Sequence, residues 1–282
     1  MKMAMTMCCG SGRLISLERP LVMGILNVTP DSFYSGSRTP ELHELVERAR
    51  RLMADGADCL DVGGYSSRPG CEDISAAEEW ARLDPALGAL RAWIGQDVLL
   101  SVDTFRSDVA RRCVEKYGVG IINDISGGIA DPDMFATVAE LKVGYVLMHM
   151  RGTPQTMTSL TEYSDVTADV IQDLAFKLDA LRSLGVADVI IDPGFGFAKN
   201  IEQNFRLLKD LREFQILGCP VLAGLSRKSM IWRTLNSTPE ESLTGTTALN
   251  MTALMNGADI LRVHDVREAV ETVKLFEMIK NA

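Results

Sequence analysis

The chain has no apolar stretch long enough to cross a bilayer, and nothing in it reads as a membrane span. It has no basic excess either. Its 282 residues carry 29 Lys and Arg against 38 Asp and Glu, a net charge of −9. That balance argues against nonspecific DNA or RNA binding, which needs a basic footprint, yet leaves room for a local basic pocket that takes an anionic small molecule. There are only three histidines, and no C-x-x-C spacing occurs among the six cysteines, so a structural zinc site lacks its ligands. The cysteines stand at 8, 9, 59, 71, 113 and 219, with Cys59 and Cys219 in or beside apolar runs. They read as reduced thiols of a cytoplasmic protein rather than disulfides. MKMAMTMCCGSG, at the start, has one Lys and no sustained apolar core, which argues against a secretory signal; the segment before Cys8-Cys9 is too short and too weakly apolar for a lipid anchor. No G-x-S-x-G, P-loop or G-x-G-x-x-G pattern stands in its proper context, which disfavours serine hydrolases, P-loop NTPases and Rossmann dehydrogenases.

What is present is a rhythm. Eight short apolar runs recur: Leu21–Leu26, Cys59–Val62, Val98–Val102, Gly120–Ile122, Gly144–Met148, Val189–Ile191, Pro220–Leu222 and Asp259–Val263. Polar residues follow almost every run, namely Asn27, Ser66-Ser67-Arg68, Asp103, Asn123, His149, Asp192, Ser226-Arg227-Lys228, and Arg262 with His264. Helix-like stretches separate the runs at a unit length that suits a strand–helix repeat. Eight such units close into a parallel (β/α)8 barrel of the TIM class, with the active site at the C-terminal ends of the strands. The 46% apolar content supports a large core, and barrels of this kind reach this length as one domain. The expected layout is a disordered leader over 1–12 and one barrel domain over 13–282, with a small strand at Arg13–Leu17 capping the barrel's bottom.

Helix signals fit that frame. Pro40 suits a first helical position, and Leu42, Leu45, Val46, Ala49, Leu52 and Met53 recur at helical spacing until Gly56. Ser75 opens a capping box with an acid three positions on. Asp131-Pro132 opens a fourth helix, and the run from Asp165 to Leu184 ends at Gly185. Thr29–Thr39, Gly63–Glu72 and Arg151–Ser159 are polar, Gly/Pro-rich segments at the expected mouth, where long loops act as lids or substrate loops.

Asp103, Asn123 and Asp192 each end an apolar run. Together they suit a flat heterocycle with several N–H groups and a carbonyl, such as a pterin or purine; the alternative is that each satisfies loop amides or caps a helix. Lys228 falls after the seventh run, and Arg262 and His264 lie at the eighth, the usual phosphate corner of such barrels; together they favour a phosphorylated substrate over a surface salt network. His149 reads as a core histidine rather than a catalyst. Asn27 could ligate Mg2+ through its carbonyl oxygen. Met148 and Phe197 could sandwich a planar ring or could simply pack in the core.

The motifs MGILNVTPDSF (23–33), DVGGYSSRPG (61–70), SVDT (101–104), INDISGG (122–128), MHMRGTPQTM (148–157), DPGFGFAKN (192–200), GLSRKSM (224–230) and RVHDV (262–266) closely resemble the dihydropteroate synthase family, in order and spacing, from Leu21 to the C-terminus. The resemblance implies condensation of 6-hydroxymethyl-7,8-dihydropterin pyrophosphate with 4-aminobenzoate to 7,8-dihydropteroate and pyrophosphate. It implies that Asp103, Asn123, Asp192 and Lys228 hold the pterin, that Asn27 ligates Mg2+, and that Ser67, Arg68, Arg262 and His264 contact the pyrophosphate or the aminobenzoate region. Phe33, Pro69 and Ser226 would shape the aminobenzoate pocket, where sulfonamides compete. It also implies a homodimer, for which the apolar spacing of Leu243–Met255 and Val266–Ile279 offers candidate faces.

Two loops depart from the family pattern. Ser35 stands where many relatives have an acid. Tyr65 stands for a second acid, and Ser67 for a threonine whose hydroxyl it keeps. The expected chemistry is a dissociative, SN1-like step with no covalent enzyme intermediate, in which Asp103 and Asp192 stabilise a methylene cation while Mg2+, Arg262 and His264 neutralise the leaving group. The competing readings are a pterin-barrel methyltransferase acting on a corrinoid partner and a pterin-binding module without turnover. Pyrophosphate release separates them.

Overall fold

The computed structural model describes residues 5–10, 14–28, 38–67, 73–95 and 97–282. It begins with an antiparallel hairpin of β1 (Thr6–Cys8) and β2 (Leu14–Ser16). Eight parallel strands follow: β3 (Leu21–Asn27), β4 (Cys59–Gly63), β5 (Leu99–Asp103), β6 (Ile121–Asp124), β7 (Gly144–Met148), β8 (Val189–Asp192), β9 (Leu222–Ala223) and β10 (Ile260–Val263). Each pairs with its neighbour in the order β8-β7-β6-β5-β4-β3-β10-β9. A bridge between Ile191 and Val221 joins the two outer strands, so the sheet closes into the expected barrel. The helices around it are α1 (Arg38–Ala54), α2 (Ala76–Ile94), α3 (Ser107–Tyr117), α4 (Met134–Leu141), α5 (Val166–Ser183), α6 (Ile201–Lys209), α7 (Ser229–Thr234), α8 (Leu243–Met255) and α9 (Val266–Asn281). None among the described residues is long and apolar enough to cross a membrane.

Local chemistry sets the element ends. Ser75 and Glu78 form the expected capping box of α2, with the Ser75 N–H donating to Glu78 Oε2 at 2.8 Å. The Asp165 carboxylate caps α5 by accepting from the N–H groups of Thr167 and Ala168. Asp131-Pro132 forms a turn ahead of α4 rather than its first residues. The Asp131 carboxylate accepts from the Ser107 N–H at 2.7 Å and from the Asp133 N–H at 3.0 Å. β9 starts after the apolar run that announces it, because Pro220 has no N–H to pair. Its carbonyl instead accepts from the Ile191 N–H at 2.8 Å.

Side-chain alternation divides the core in two. Val22, Leu60, Leu100, Ile122, Leu147, Ile191 and Leu261 belong to a large outer cluster with the helices. The opposite parity points into the lumen. Met23, Cys59, Leu99, Ile121, Val146, Ile190, Leu222 and Ile260 form its apolar floor, and Met7, Cys9 and Leu17 of the hairpin plug that floor from below. The expectation of a disordered leader over 1–12 therefore fails for residues 5–10. Met7 and Cys9 are buried, and the Cys8 N–H donates to Asp188 Oδ1 at 2.9 Å. A three-residue strand has too little pattern to read, and what orders it lies elsewhere in the chain.

Candidate active site

Inward parity also places the polar residues. One strand register sets Asn27 beside Gly63, Gly63 beside Asp103, and Asp103 beside Asn123. On the far side Met148 pairs with Asp192. These positions form the rim above the apolar floor.

Between floor and rim lies Asp61, fully buried. Its Oδ1 accepts from Ser101 Oγ at 2.5 Å, and its Oδ2 from Asn123 Nδ2 at 2.9 Å and Arg262 Nε at 2.7 Å. Arg262 Nη2 reaches on to Asp103 Oδ2, also at 2.7 Å. One guanidinium thus joins two carboxylates, and Nη1 has no partner among the described residues. Burial works against the Arg262 charge, but Asp61 and Asp103 outweigh it and hold its pKa above the usual value. Burial also raises Asp103, against the pull of Arg262 and with help from the Asp61 charge.

Asp192 ends β8, and its Oδ1 accepts from the Gly194 N–H at 2.7 Å. Burial raises this carboxyl too, while Lys228 favours its ionised form. The Lys228 ammonium donates to the Phe195 carbonyl and sits 4.8 Å from the centre of the Phe197 ring. Burial brings it down to about 8, so it is mostly charged at neutral pH. Met148, Ile125, Met150, Met157 and Ala198 make an apolar wall with Phe197 and Phe105 packed on it.

Ser226 and His264 close the corner. The Ser226 hydroxyl accepts from the His264 N–H at 3.2 Å and lies 3.1 Å from His264 Nδ1. Burial, then Arg262, lower His264 to about 4. A neutral ring whose Nδ1 accepts from Ser226 keeps its proton on Nε2, free to donate. Arg227, between Ser226 and Lys228, adopts a left-handed backbone with φ 57° and turns its guanidinium onto Asp265 at 2.6 and 3.0 Å.

The unspent groups define what the rim can bind. Among the described residues, Asp103 Oδ1, Asn123 Oδ1 and Asp192 Oδ2 remain as acceptors, and Lys228 remains as a cationic donor. Such a set recognises a flat ring that offers several N–H groups and a carbonyl.

Residues 23–264 match the family model described as pterin binding enzyme. A dihydropteroate synthase of Synechocystis is 42% identical over 265 residues, covering 93% of this chain and 91% of that protein. The dihydropteroate synthase of Xanthomonas albilineans, solved with 4-aminobenzoic acid, superposes with a TM-score of 0.89 at 38% identity, over 99% of this chain and 100% of that one. The chain belongs to the dihydropteroate synthase family. The same enzyme of Xanthomonas albilineans solved with 7,8-dihydropteroate gives a TM-score of 0.84 at 36% identity, over 98% and 99% of the two chains.

Of the residues singled out from sequence, Asn27, Asp103, Asn123, Met148, Asp192, Phe197, Ser226, Lys228, Arg262 and His264 come to this one mouth. Ser67 follows β4 and is half-buried. Arg68, Phe33, Pro69 and Ser35 lie outside the described residues, as do positions 29–37 and 68–72 of the two mouth loops. Tyr65, in an acid's place, packs edge-on against Phe105 with ring centres 5.0 Å apart and accepts from Gln155 Nε2 at 3.1 Å. His149 is buried, in keeping with the core histidine expected of it.

Two residues escaped the sequence reading. Asp61 sits inside an apolar run, where nothing local marks it. The signal was parity, since Asp61 is two residues below the rim position Gly63, on the inward side of its strand. Lys199 hides in DPGFGFAKN, yet its ammonium is buried 3.0 Å from His149 Nδ1. Burial lowers Lys199 to about 7, with Asp192 opposing.

No group of three or more His, Cys, Asp or Glu among the described residues could form a metal cage. Asn27 offers a half-buried carboxamide at the rim with no hydrogen bond to any described side chain. Those residues fit a hard cation that takes one protein oxygen and draws its other ligands from phosphate oxygens and water.

Proposed function

We propose that the chain condenses 6-hydroxymethyl-7,8-dihydropterin pyrophosphate with 4-aminobenzoate, giving 7,8-dihydropteroate and pyrophosphate. The observation that carries this reading is the rim set: three acceptors on Asp103, Asn123 and Asp192, with the Lys228 ammonium beside the Phe197 wall. A dihydropterin offers an amino group and ring N–H groups to the acceptors and a carbonyl oxygen to the ammonium. Relatives solved with 4-aminobenzoic acid and with 7,8-dihydropteroate support the second substrate and the product.

The chemistry we infer is dissociative. The bond between the pterin methylene and the pyrophosphate oxygen breaks, and the electron pair leaves with pyrophosphate. The dihydropterin spreads the positive charge, and the carboxylates of Asp103 and Asp192 stabilise it. The arylamine nitrogen then attacks the methylene and loses its proton. No covalent enzyme intermediate is needed, and the buried thiols Cys59 and Cys113 are pushed well above their ordinary range, away from thiolate character. Asp61 keeps Arg262 in place, so that Nη1 can face the departing anion or the aminobenzoate carboxylate. Ser67 and the neutral His264 supply hydrogen bonds there rather than charge. Mg2+ held by Asn27 would neutralise the charge that grows on pyrophosphate. Arg68, Phe33 and Pro69 would complete the pyrophosphate and aminobenzoate sites.

We also infer a homodimer through α8 and α9, whose exposed Met255, Leu275, Met278 and Ile279 form an apolar face. A monomeric mass at micromolar concentration refutes it. The test of the reaction is pyrophosphate release with pterin pyrophosphate, Mg2+ and 4-aminobenzoate, each omitted in turn. Dihydropteroate formation that needs all three supports the reading, while tight pterin binding without release overturns it.

A further inference from the structure

Lys199 is buried beside the apolar wall of the rim, and the chemistry just described does not use it. Only 8% of the residue is exposed. Its Nζ lies 3.0 Å from each of three acceptors: His149 Nδ1, the Gly194 carbonyl and the Phe197 carbonyl. The three N–H bonds of an ammonium match the two carbonyls and a His149 Nδ1 that carries no proton. The loop between β8 and α6 is thereby gripped from below at both ends of Gly194–Phe197. Lys228 takes the Phe195 carbonyl, and the Tyr163 hydroxyl takes that of Ala198 at 2.9 Å. Gly196 has its N–H on Asn204 Oδ1 at 2.6 Å.

The backbone is built for this grip. Gly194 has φ 73°, and a Cβ there would fall 2.0 Å from the His149 carbonyl and 3.3 Å from Lys199 Nζ. The loop can therefore lie against β7 only with glycine at that position. The next residues carry the site. Asp192 holds the Gly194 N–H, Phe197 supplies the ring beside Lys228, and the Phe195 carbonyl orients the Lys228 ammonium.

We infer that Lys199, seated on a neutral His149, is the positioning residue that sets the pterin-facing wall: through the carbonyls of Gly194 and Phe197 it fixes the Phe197 ring and the carbonyl that aims Lys228. Lys199 touches no substrate, and its effect falls on the pterin half of the site alone. The inference rests on the pterin reading of the rim. Asp192, Lys228, Arg151 and Asp173 are the charged groups around Lys199. Lys199, Lys177 and Arg151 are the charged groups around His149, and all three oppose a charge on its ring.

The experiment compares wild type with Lys199→Met, which keeps the chain's length and loses its donors. Direct titration with the pterin pyrophosphate is followed by steady-state kinetics in both substrates. The expected result is a rise of about tenfold in the pterin dissociation constant and KM, as two buried carbonyls lose their partner, with the 4-aminobenzoate KM unchanged. An equal loss of kcat with both KM values unchanged describes a merely structural lysine and overturns the inference. Failure of wild type to bind the pterin sinks the functional reading itself. Equal binding by wild type and variant sinks only the inference. Nitrogen NMR of the wild-type histidines decides the matter if the variant does not fold. His149 should show an unprotonated, hydrogen-bonded Nδ1 and a protonated Nε2, and a protonated Nδ1 contradicts the seating of Lys199.

Discussion

Replacing Asp61 with Asn removes one negative charge beneath the rim while keeping the side chain's shape. The carboxylate accepts from Ser101, Asn123 and Arg262 at 2.5 to 2.9 Å in a fully buried setting. An amide can satisfy the same geometry. Its oxygen faces Asn123 and Arg262, and the Ser101 hydroxyl turns to accept from the new NH2. What is lost is the charge on two of the bonds. A bond to a charged partner contributes about 1.5–3 kcal/mol and a neutral one about 1, so over two bonds the variant should lose about 1–4 kcal/mol. For a domain of 282 residues that corresponds to a fall of roughly 2–7 °C in Tm. A second effect has a definite sign. The Asp61 charge is among the forces that raise the Asp103 carboxyl, and Arg262 opposes it. With Asp61 neutral, Arg262 serves Asp103 alone, and Asp103 ionises at lower pH. The acid limb of the kcat/KM profile should move to lower pH. Melting at pH 7 together with a rate profile between pH 5 and 9 measures both effects. An acid limb that stays put or moves up refutes the coupling of Asp61 to Asp103 through Arg262, whatever happens to the Tm.

Lys228→Met should lower kcat/KM about 100-fold, mainly through the pterin KM, because a charged donor is lost in a buried site; an unchanged pterin KM contradicts its place in the pterin set. Asp103 is held up to about 7 against an ordinary 3.8, so between those values the native chain keeps a proton that the unfolded chain has released. Its contribution to stability is present below about 4 and is lost as pH rises toward 7. Urea unfolding at pH 5 and pH 7 should show this slope in wild type and not in Asp103→Asn. Chelation should abolish product formation and added Mg2+ restore it, with Asn27→Ala needing about tenfold more Mg2+ for half-maximal rate; an unaltered Mg2+ requirement in the variant removes Asn27 from the metal.

The barrel was legible because each strand is a short apolar run bounded by polar residues, and the rim was legible because those residues end the runs. Asp103, Asn123, Asp192, Lys228 and His264 all belong to that pattern. Asp61 lies inside an apolar run, and only alternation across several strands at once exposes its inward parity. Lys199 sits in a glycine-rich stretch with no periodicity, and its partner His149 is 50 residues away. The pairing of Arg262 with two carboxylates follows from the register of four strands, β10, β3, β4 and β5, which no single segment carries. The hairpin at the barrel's base escaped for a related reason: Met7 and Cys9 find their apolar surroundings on eight strands that follow them.

Because odd and even positions of each strand face different worlds, the barrel writes two messages on one thread. Val22, Leu60, Val102 and Ile122 spell the outer shell, while Met23, Asp61, Asp103 and Asn123 spell the chamber. Substitutions in one set can accumulate with little say from the other, so thermal tolerance and substrate choice can drift separately. A single-residue insertion within a strand is the exception. It swaps the two messages, pushing carboxylates against helices and leucines into the chamber. Length variation among relatives should therefore gather in the loops and spare the strands.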